Sequence, residues 1–565
     1  MIHPTMTAQP STPLPRPEAP ATVTAEPVLP PARGPVGTPE AGRTSRIADR
    51  LGRPPRGTLL LGLAASVLML VGAPGSGGIP MRDPVLGNSA LSFWRYGHGA
   101  LIAGALIYLG LALMVWAWVR LGRDVLAHRA GGRAVLTVAG VWLIPMLVTP
   151  PLFTRDPYSY LAQGALPLAG FDPYVVGPDS MGGIFTDNVH FFWQDTPAPY
   201  GPLFIALAQG IVLLAGKNLL LGVVLMRLTL ATGLVLLVAV LPALTRHLGG
   251  RPAVALWLAV ANPVMVVHMI GGIHNDLLVV GMLPLAALLA LLGRFLTAIV
   301  VATLAMAVKA SAGLILPFLV LLWAAKLRGS FWSRLVRAGL PSVAVFGVLF
   351  GAVTVFTGLG LGWLPALKSP SLIVNWLSWP TGAGQALHGV LGMFLDDLNE
   401  QAFVDVARVV GAALLVLLVA GLWWRARGGG ATAVHHAGVA LALAAVLSPA
   451  TLPWYVSWGF SLLAMAAWSA RGLQWVVFGS VWMMIVYYPT GETALYNWPF
   501  LALCVAGGVL AAVSLLHPDP LRLRRRSADD DTPPTGSPAP GTREGPGPLV
   551  PATPASLVDG TAGRG

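Results

Sequence analysis

Between Thr58 and Leu516 the chain repeats one pattern, apolar runs of about 17–25 residues, each long enough to cross roughly 30 Å of hydrocarbon at ~1.5 Å per helical residue. Lipid offers no hydrogen bonds to the backbone, so only helices and closed barrels can span it. The runs lack the period-two alternation of barrel strands, which excludes a β-barrel. Only 10% of the 565 residues are charged and 55% are hydrophobic, against roughly 25% charged in a soluble domain, so a water-soluble globule is excluded as well. The fold class is an all-α polytopic membrane protein of about 14 transmembrane helices.

Spans are expected at 58–75, 98–120, 134–150, 219–245, 253–270, 277–293, 295–308, 312–325, 338–358, 403–424, 432–450, 454–470, 473–489 and 497–516. The flanks, 1–50 and 520–565, are rich in Pro, Gly, Ser and Thr and are expected to be disordered cytoplasmic tails. The chain opens without a hydrophobic core of the signal-peptide kind, so the first span is expected to serve as its own insertion signal. Cys504 is the single cysteine, which precludes an intrachain disulfide.

The net charge of +12 is spread in short basic clusters between spans rather than along one face, which speaks for topology and against nucleic acid. If 201–216 is a re-entrant or interfacial helix, nearly all of these clusters fall on one side: Arg46 to Arg56, Arg120 to Arg133, Arg246 and Arg251, Arg294, Lys326 to Arg337, Arg425 and Arg427, Arg471, and Arg522 to Arg526. Both termini are then cytoplasmic. A long acidic loop, 151–218, faces the other side together with loop 359–402.

The runs 295–308 and 312–325 are each about 14 residues, or ~21 Å of helix, too short to cross. Their junction, Lys309-Ala-Ser, is expected to lie below the outer surface, where a charge survives only if it lines a polar cavity. Lys309 is therefore a candidate for holding a phosphate oxygen, with a salt bridge to an aspartate as the plainer alternative.

Two short motifs share the face of that junction. Thr154-Arg155-Asp156-Pro157-Tyr158-Ser159-Tyr160 follows the third span with almost no spacer, and partial desolvation there is expected to raise the Asp156 carboxyl and strengthen it as a base. An Asp-Pro turn opening a loop is the alternative. Gly271-Gly272-Ile273-His274-Asn275-Asp276 could orient an anion or a hydroxyl through His274, Asn275 and Asp276, or it could simply turn the chain, with Asp276 capping a helix. The histidines lack zinc-ligand spacing. Trp454, Tyr455 and Trp458, with Trp376 and Trp379, read either as a sugar-stacking or lipid-gating surface or as an interfacial aromatic belt. His190 and Tyr200 could contact an acceptor or pack within the loop.

Taken in order, T-R-D-P-Y-S-Y-L-A-Q-G, F-D-P-Y-V-V-G-P, Y-G-P-L, G-G-I-H-N-D-L-L-V-V-G and L-P-W-Y resemble the actinobacterial polyprenol-phosphomannose-dependent α-1,6-mannosyltransferases, members of the GT-C glycosyltransferases. The resemblance covers roughly 58–516 and excludes both tails. It implies a GT-C-like bundle with a large extracytoplasmic loop carrying interfacial or re-entrant helices. The implied activity is transfer of mannose from polyprenyl-phosphate mannose to a mannan or lipomannan acceptor, with inversion, at the plasma membrane. It further implies Asp156 as general base, Arg155, His274 and Lys309 at the donor phosphate, and Tyr158, Asp172, Asn275, Asp276, Trp454 and Tyr455 around the sugar and acceptor cleft. The sequence has no literal D-x-D, so no metal ligand is assigned and a requirement for a divalent cation is left open. A transporter or flippase of lipid-linked sugars is the rival reading, against which stand the lack of an internal repeat and the long acidic loop.

Overall fold

The computed structural model describes residues 52–521, except Arg53, Arg82, Pro84, Val85 and Asn88. The expected disordered tails lie almost wholly outside these residues. In chain order the principal helices are α1 (Arg56–Ser76), α2 (Gly97–Leu126), α3 (Gly132–Met146), α4 (Asp156–Ala165), α5 (Pro202–Ala215), α6 (Leu219–Leu248), α7 (Pro252–Ala259), α8 (Asp276–Leu291), α9 (Phe295–Val308), α10 (Leu316–Ala324), α11 (Phe331–Thr357), α12 (Trp379–Leu391), α13 (Glu400–Arg425), α14 (Gly430–Leu447), α15 (Ser457–Leu463), α16 (Ala470–Ile485) and α17 (Trp498–Leu516). The described residues contain no β-sheet, only isolated bridges.

Seven of these helices (α1, α2, α6, α11, α13, α14 and α17) are long and apolar enough to cross a membrane, or eight spans if α7 and the π-helix Val264–Gly271, bent 50° to it, count as one. The sequence-based count of about 14 is larger for a physical reason. Five further apolar helices have only 10–17 residues, so they are as hydrophobic as spans but shorter than the hydrocarbon. The run expected to span 454–470 is broken: after a 3-10 turn at Pro453–Val456, α15 ends at Leu463 and Ala466 pairs with Gly249. Hydropathy registers the composition of this run but not the point at which its backbone leaves the helix.

The interior is built around α6 and α8. Gly233 and Gly281 let their backbones touch, since a Cβ on Gly281 would lie 2.1 Å from the Gly233 carbonyl oxygen. Farther out, α2 and α7 are joined by Trp118 and Trp257, which each donate an indole N–H to the other's carbonyl at 3.0 and 2.9 Å and stack with centroids 5.2 Å apart. Each buried indole N–H thus has an acceptor, as a dry interior requires. By contrast α11 and α13 expose Val348, Phe356, Val409 and Leu417, an apolar surface suited to lipid. Loop 151–218 folds into α4, α5 and short turns, and it meets loop 359–402 where Ser369 Oγ donates to the Pro197 carbonyl at 3.4 Å.

Candidate active site

Two tight turns deliver the polar residues. One runs from the end of α3 to Asp156 and holds Phe153 at φ 63°; the other runs from the π-helix to Asp276 and holds Ile273 at φ 59°. A left-handed conformation is rare for any side chain and a true outlier for a β-branched one, and such strain persists only where the surroundings over-determine it. They do so here. Leu152 N donates to the Gly271 carbonyl at 3.2 Å, and Phe153 N donates to the Pro489 carbonyl at 2.9 Å. Arg227, 2% exposed in the middle of α6, donates to the carbonyls of Leu147 at 2.8 Å, Ile270 at 3.1 Å and Gly271 at 3.4 Å, and also to that of Thr149. Carbonyls at helix C-termini have no partner of their own, and a guanidinium suits them both as a multiple donor and as a cation at the negative dipole end.

Between the turns lies a polar chamber. His274, fully buried, stacks on Trp454 with centroids 3.5 Å apart at 17°, and this fixes the plane of its ring. Its Nδ1 is 3.4 Å from Asp156 Oδ2, which also accepts a bond from the Tyr160 hydroxyl at 3.4 Å. The Asp156 N–H donates to Thr154 Oγ1 at 3.0 Å. Lys309 caps the C-terminus of α9, where its Nζ lies 2.8 Å from both carboxylate oxygens of Asp276 and 3.4 Å from Asn275 Oδ1. Asp276 also accepts from the Trp458 indole. The ammonium sits over the rings of Tyr455 (4.7 Å), Trp458 (5.4 Å) and Tyr200 (6.0 Å), faces that attract a cation. Tyr200 meets Tyr160 edge to face at 5.4 Å, which links the Lys309 end of the chamber to the Asp156 end.

The two carboxylates differ in access. Asp276 is wholly buried, whereas the Asp156 side chain is 22% exposed. Burial pushes the Asp156 carboxyl up, but the hydrogen bond and charge of His274, the contact with Thr154 and the charge of Lys309 outweigh it and hold the group below its ordinary 3.8. This reverses the expectation that desolvation would raise it, because the sequence did not show how many favourable groups converge on the carboxylate.

The remaining candidates are placed differently. Tyr158 points from the other side of α4, with its hydroxyl donating to the Gly78 carbonyl at 2.9 Å. Asp172 is exposed and accepts from the Tyr174 N–H at 2.8 Å. Burial lowers the Arg155 guanidinium from its ordinary value, with Tyr158, Glu492 and Arg95 as its electrostatic neighbours, and its Nε and Nη2 are buried without a hydrogen-bond partner. His190 pairs with Glu492 at 3.2 Å. His274 Nε2 and Asn275 Nδ2 are likewise buried and unpartnered. Among the described residues no three His, Cys, Asp or Glu side chains gather closely enough to hold a metal ion. Sequence reasoning included Tyr160 in the Asp156 motif but gave it no role, although it stands one helical turn after Asp156, and it missed Arg227, although it is a charge within an apolar run.

A helical, membrane-embedded chain that gathers a reachable carboxylate, an oriented imidazole and stacked aromatic rings in one chamber has the features of a membrane glycosyltransferase. Two family models match: "Alpha-(1->6)-mannopyranosyltransferase, N-terminal domain" over residues 59–325 and "MptB C-terminal domain" over residues 380–517. Alpha-(1->6)-mannopyranosyltransferase A of Mycobacterium tuberculosis is 37% identical over 458 residues, which is 80% of this chain and 89% of the relative. Its namesake from Corynebacterium glutamicum is 32% identical over 452 residues, 76% of this chain and 92% of the relative. Alpha-(1->6)-mannopyranosyltransferase B of that organism is 29% identical over 445 residues, 73% of each chain. No solved structure matches. The chain belongs to the alpha-(1->6)-mannopyranosyltransferase family and is a mannosyltransferase.

Proposed function

We propose that the protein transfers mannose from polyprenyl-phosphate mannose to a mannan or lipomannan acceptor, forming α-1,6 linkages with inversion. The observation that carries the assignment of roles is the contrast between the carboxylates: Asp276 is sealed by Lys309 and Trp458, while Asp156 keeps an open side and a flanking imidazole. In this reading the Asp156 carboxylate takes the proton from the acceptor hydroxyl. The resulting oxygen bonds to the anomeric carbon as the bond from that carbon to the phosphate oxygen breaks, and the lipid phosphate leaves with the electron pair. In this reading that anion is met by the Nε and Nη2 groups of Arg155 and by His274 Nε2 when the ring also carries the proton that its Nδ1 shares with Asp156, while the charge of Lys309 holds Asp276. Asn275 Nδ2 is a further free donor for a sugar hydroxyl. In this reading Trp454 holds the plane of His274, Tyr455 stacks on Trp458 beneath the Lys309 ammonium, and Asp172 belongs to the outer part of the acceptor path, whereas Tyr158, buried with its hydroxyl on the Gly78 carbonyl, supports α4 and does not line the cleft that the sequence suggested for it. The basic clusters support cytoplasmic termini and a chamber opening to the extracytoplasmic side of the plasma membrane.

The test is Asp156→Asn, assayed in purified protein with polyprenyl-phosphate mannose and a short mannoside. Transfer falls by ~10²–10⁴-fold, the usual worth of a positioned base, while folded yield is unchanged. Full transfer by this variant would remove Asp156 from the role.

A further inference from the structure

Away from the Asp156 chamber, a second cleft of about 430 Å³ opens where loop 151–218 meets loop 359–402. Its polar lining comes from Tyr174, Asp195, Thr196, Lys368, Ser369 and Ser371. Two bonds tie the walls across three chain segments, Ala198 N to the Pro173 carbonyl at 2.8 Å and Ser369 Oγ to the Pro197 carbonyl at 3.4 Å, and Ser371 Oγ closes a local turn on the Lys368 carbonyl at 2.6 Å. A cavity of this size lies within the ~300–1,000 Å³ range of small-molecule sites.

The hydroxyls of Thr196, Ser369 and Ser371 are bonded to carbonyls, but other polar groups at the cleft have no partner. Tyr174 is 4% exposed, yet its hydroxyl makes no hydrogen bond. The indole N–H of Trp363, next to the Gly362 that abuts the Tyr174 ring, is also buried and unpartnered. The carboxylate of Asp195 and the ammonium of Lys368 are exposed, and neither has an ion-pair or hydrogen-bond partner among the described residues. Buried polar groups are normally satisfied, so the unpaired Tyr174 hydroxyl marks where a ligand would complete the bonding, with the water-exposed Asp195 and Lys368 beside it at the cleft.

The chemistry selects the ligand class. A phosphate site would gather several cations, whereas here one acid stands with one base among hydroxyls and an aromatic ring. Such a mixture of donors and acceptors matches a polyhydroxylated ligand, in which every hydroxyl both donates and accepts. The position selects the ligand itself. The segment that lines the cleft at Asp195 and Thr196 reaches the chamber at Tyr200, five residues on, a span of at most ~17 Å even when fully extended. Tyr200 also packs against the apolar cluster that contains Tyr174 and Trp363.

We propose that this cleft is a distal acceptor subsite, which holds mannosyl residues of the growing chain behind the sugar that reacts at Asp156. The proposal rests on the transfer reading above and adds a place for the rest of the acceptor. It makes the enzyme selective for acceptor length through residues that take no part in the chemistry.

The experiment uses the full-length protein in detergent with α-1,6-linked mannosides of one and of four sugars. Binding of the tetrasaccharide is measured by calorimetry for the parent, Asp195→Ala, Lys368→Ala, Tyr174→Phe and Asp156→Asn chains, and transfer is measured with both acceptors. Asp195→Ala and Lys368→Ala weaken tetrasaccharide binding by ~10-fold or more, the worth of a hydrogen bond to a charged group. They raise KM for the four-sugar acceptor by the same factor and leave kcat and the one-sugar KM unchanged, while Asp156→Asn still binds the tetrasaccharide. Equal KM changes for both acceptors, or none for either, would overturn the subsite. So would variants whose only loss is of binding to vesicles of anionic lipid. Should Asp156→Asn retain full transfer while Lys368→Ala loses tetrasaccharide binding, the base assignment fails and the subsite stands.

Discussion

Lys309 can be asked whether it supports the fold or serves the substrate, because the two roles predict different thermodynamics. Asp276 is wholly buried and accepts two contacts at 2.8 Å from the ammonium and one from the Trp458 indole. Lys309→Met removes the neutralising partner and leaves a buried anion with a single donor. Breaking a buried pair in this way costs ~3–5 kcal/mol, most of it the penalty on the stranded charge. With an unfolding entropy of ~2.1 cal/mol/K per residue over several hundred residues, the melting midpoint falls on the order of 3–5 °C. Adding Asp276→Asn removes the stranded charge but keeps an amide oxygen for Trp458, so the double variant recovers at least half of the loss. The assay is thermal unfolding of detergent-solubilised protein in a double-mutant cycle, with mannosyl transfer measured in parallel. If Lys309→Met melts like the parent, or if the double variant melts below the single, the ion pair does not hold these helices. A stable but inactive Lys309→Met would instead make the lysine a substrate ligand.

Two further predictions follow from geometry. His274→Gln removes the strongest of the groups that favour the Asp156 carboxylate, so burial prevails and the acid limb of the pH–activity profile moves to higher pH; an unmoved or lower limb refutes this. The corresponding sign for stability is that the depressed Asp156 value stabilises the fold above 3.8, and this contribution is lost as pH falls through the lower folded value. Gly281→Ala places a methyl group 2.1 Å from the Gly233 carbonyl oxygen and so prises α8 from α6, lowering stability by roughly 1–3 kcal/mol in the same melting assay.

Much of the helical plan was legible because apolar runs and their interruptions leave direct marks. The break between 295–308 and 312–325 was visible as Lys309-Ala-Ser, and α9 does end at Val308 with Lys309 at its cap. What stayed hidden depends on backbone geometry rather than composition. The π-helix at Val264–Gly271 and its 50° bend from α7 carry no apolar signature that differs from a straight span. The left-handed Phe153 and Ile273 are residues that turn chemistry would not nominate. Arg227 is the instructive case: an arginine within an apolar run is expensive by the same argument that singled out Lys309, and it clamps the two turns that carry Asp156 and His274.

The chamber also constrains where catalytic power can come from. α4 begins at Asp156 and α8 begins at Asp276, so the positive dipole ends of two helices point at the site, with His274 and Lys309 beside them. That arrangement keeps Asp156 ionised at every physiological pH, but it also makes Asp156 a weaker proton acceptor than a carboxylate raised by burial. Lys309 and the start of α8 are already matched by the Asp276 carboxylate, so the negative charge that grows on a departing phosphate falls to the start of α4 and to His274. Under the proposed mechanism, basicity is therefore exchanged for leaving-group stabilisation. Asp156 contributes chiefly by orienting the acceptor hydroxyl and receiving its proton once the bond to phosphate has begun to break. A weak base suffices when the leaving group is already half expelled, and under this mechanism the α4 N-terminus and His274 are the groups placed to favour that expulsion.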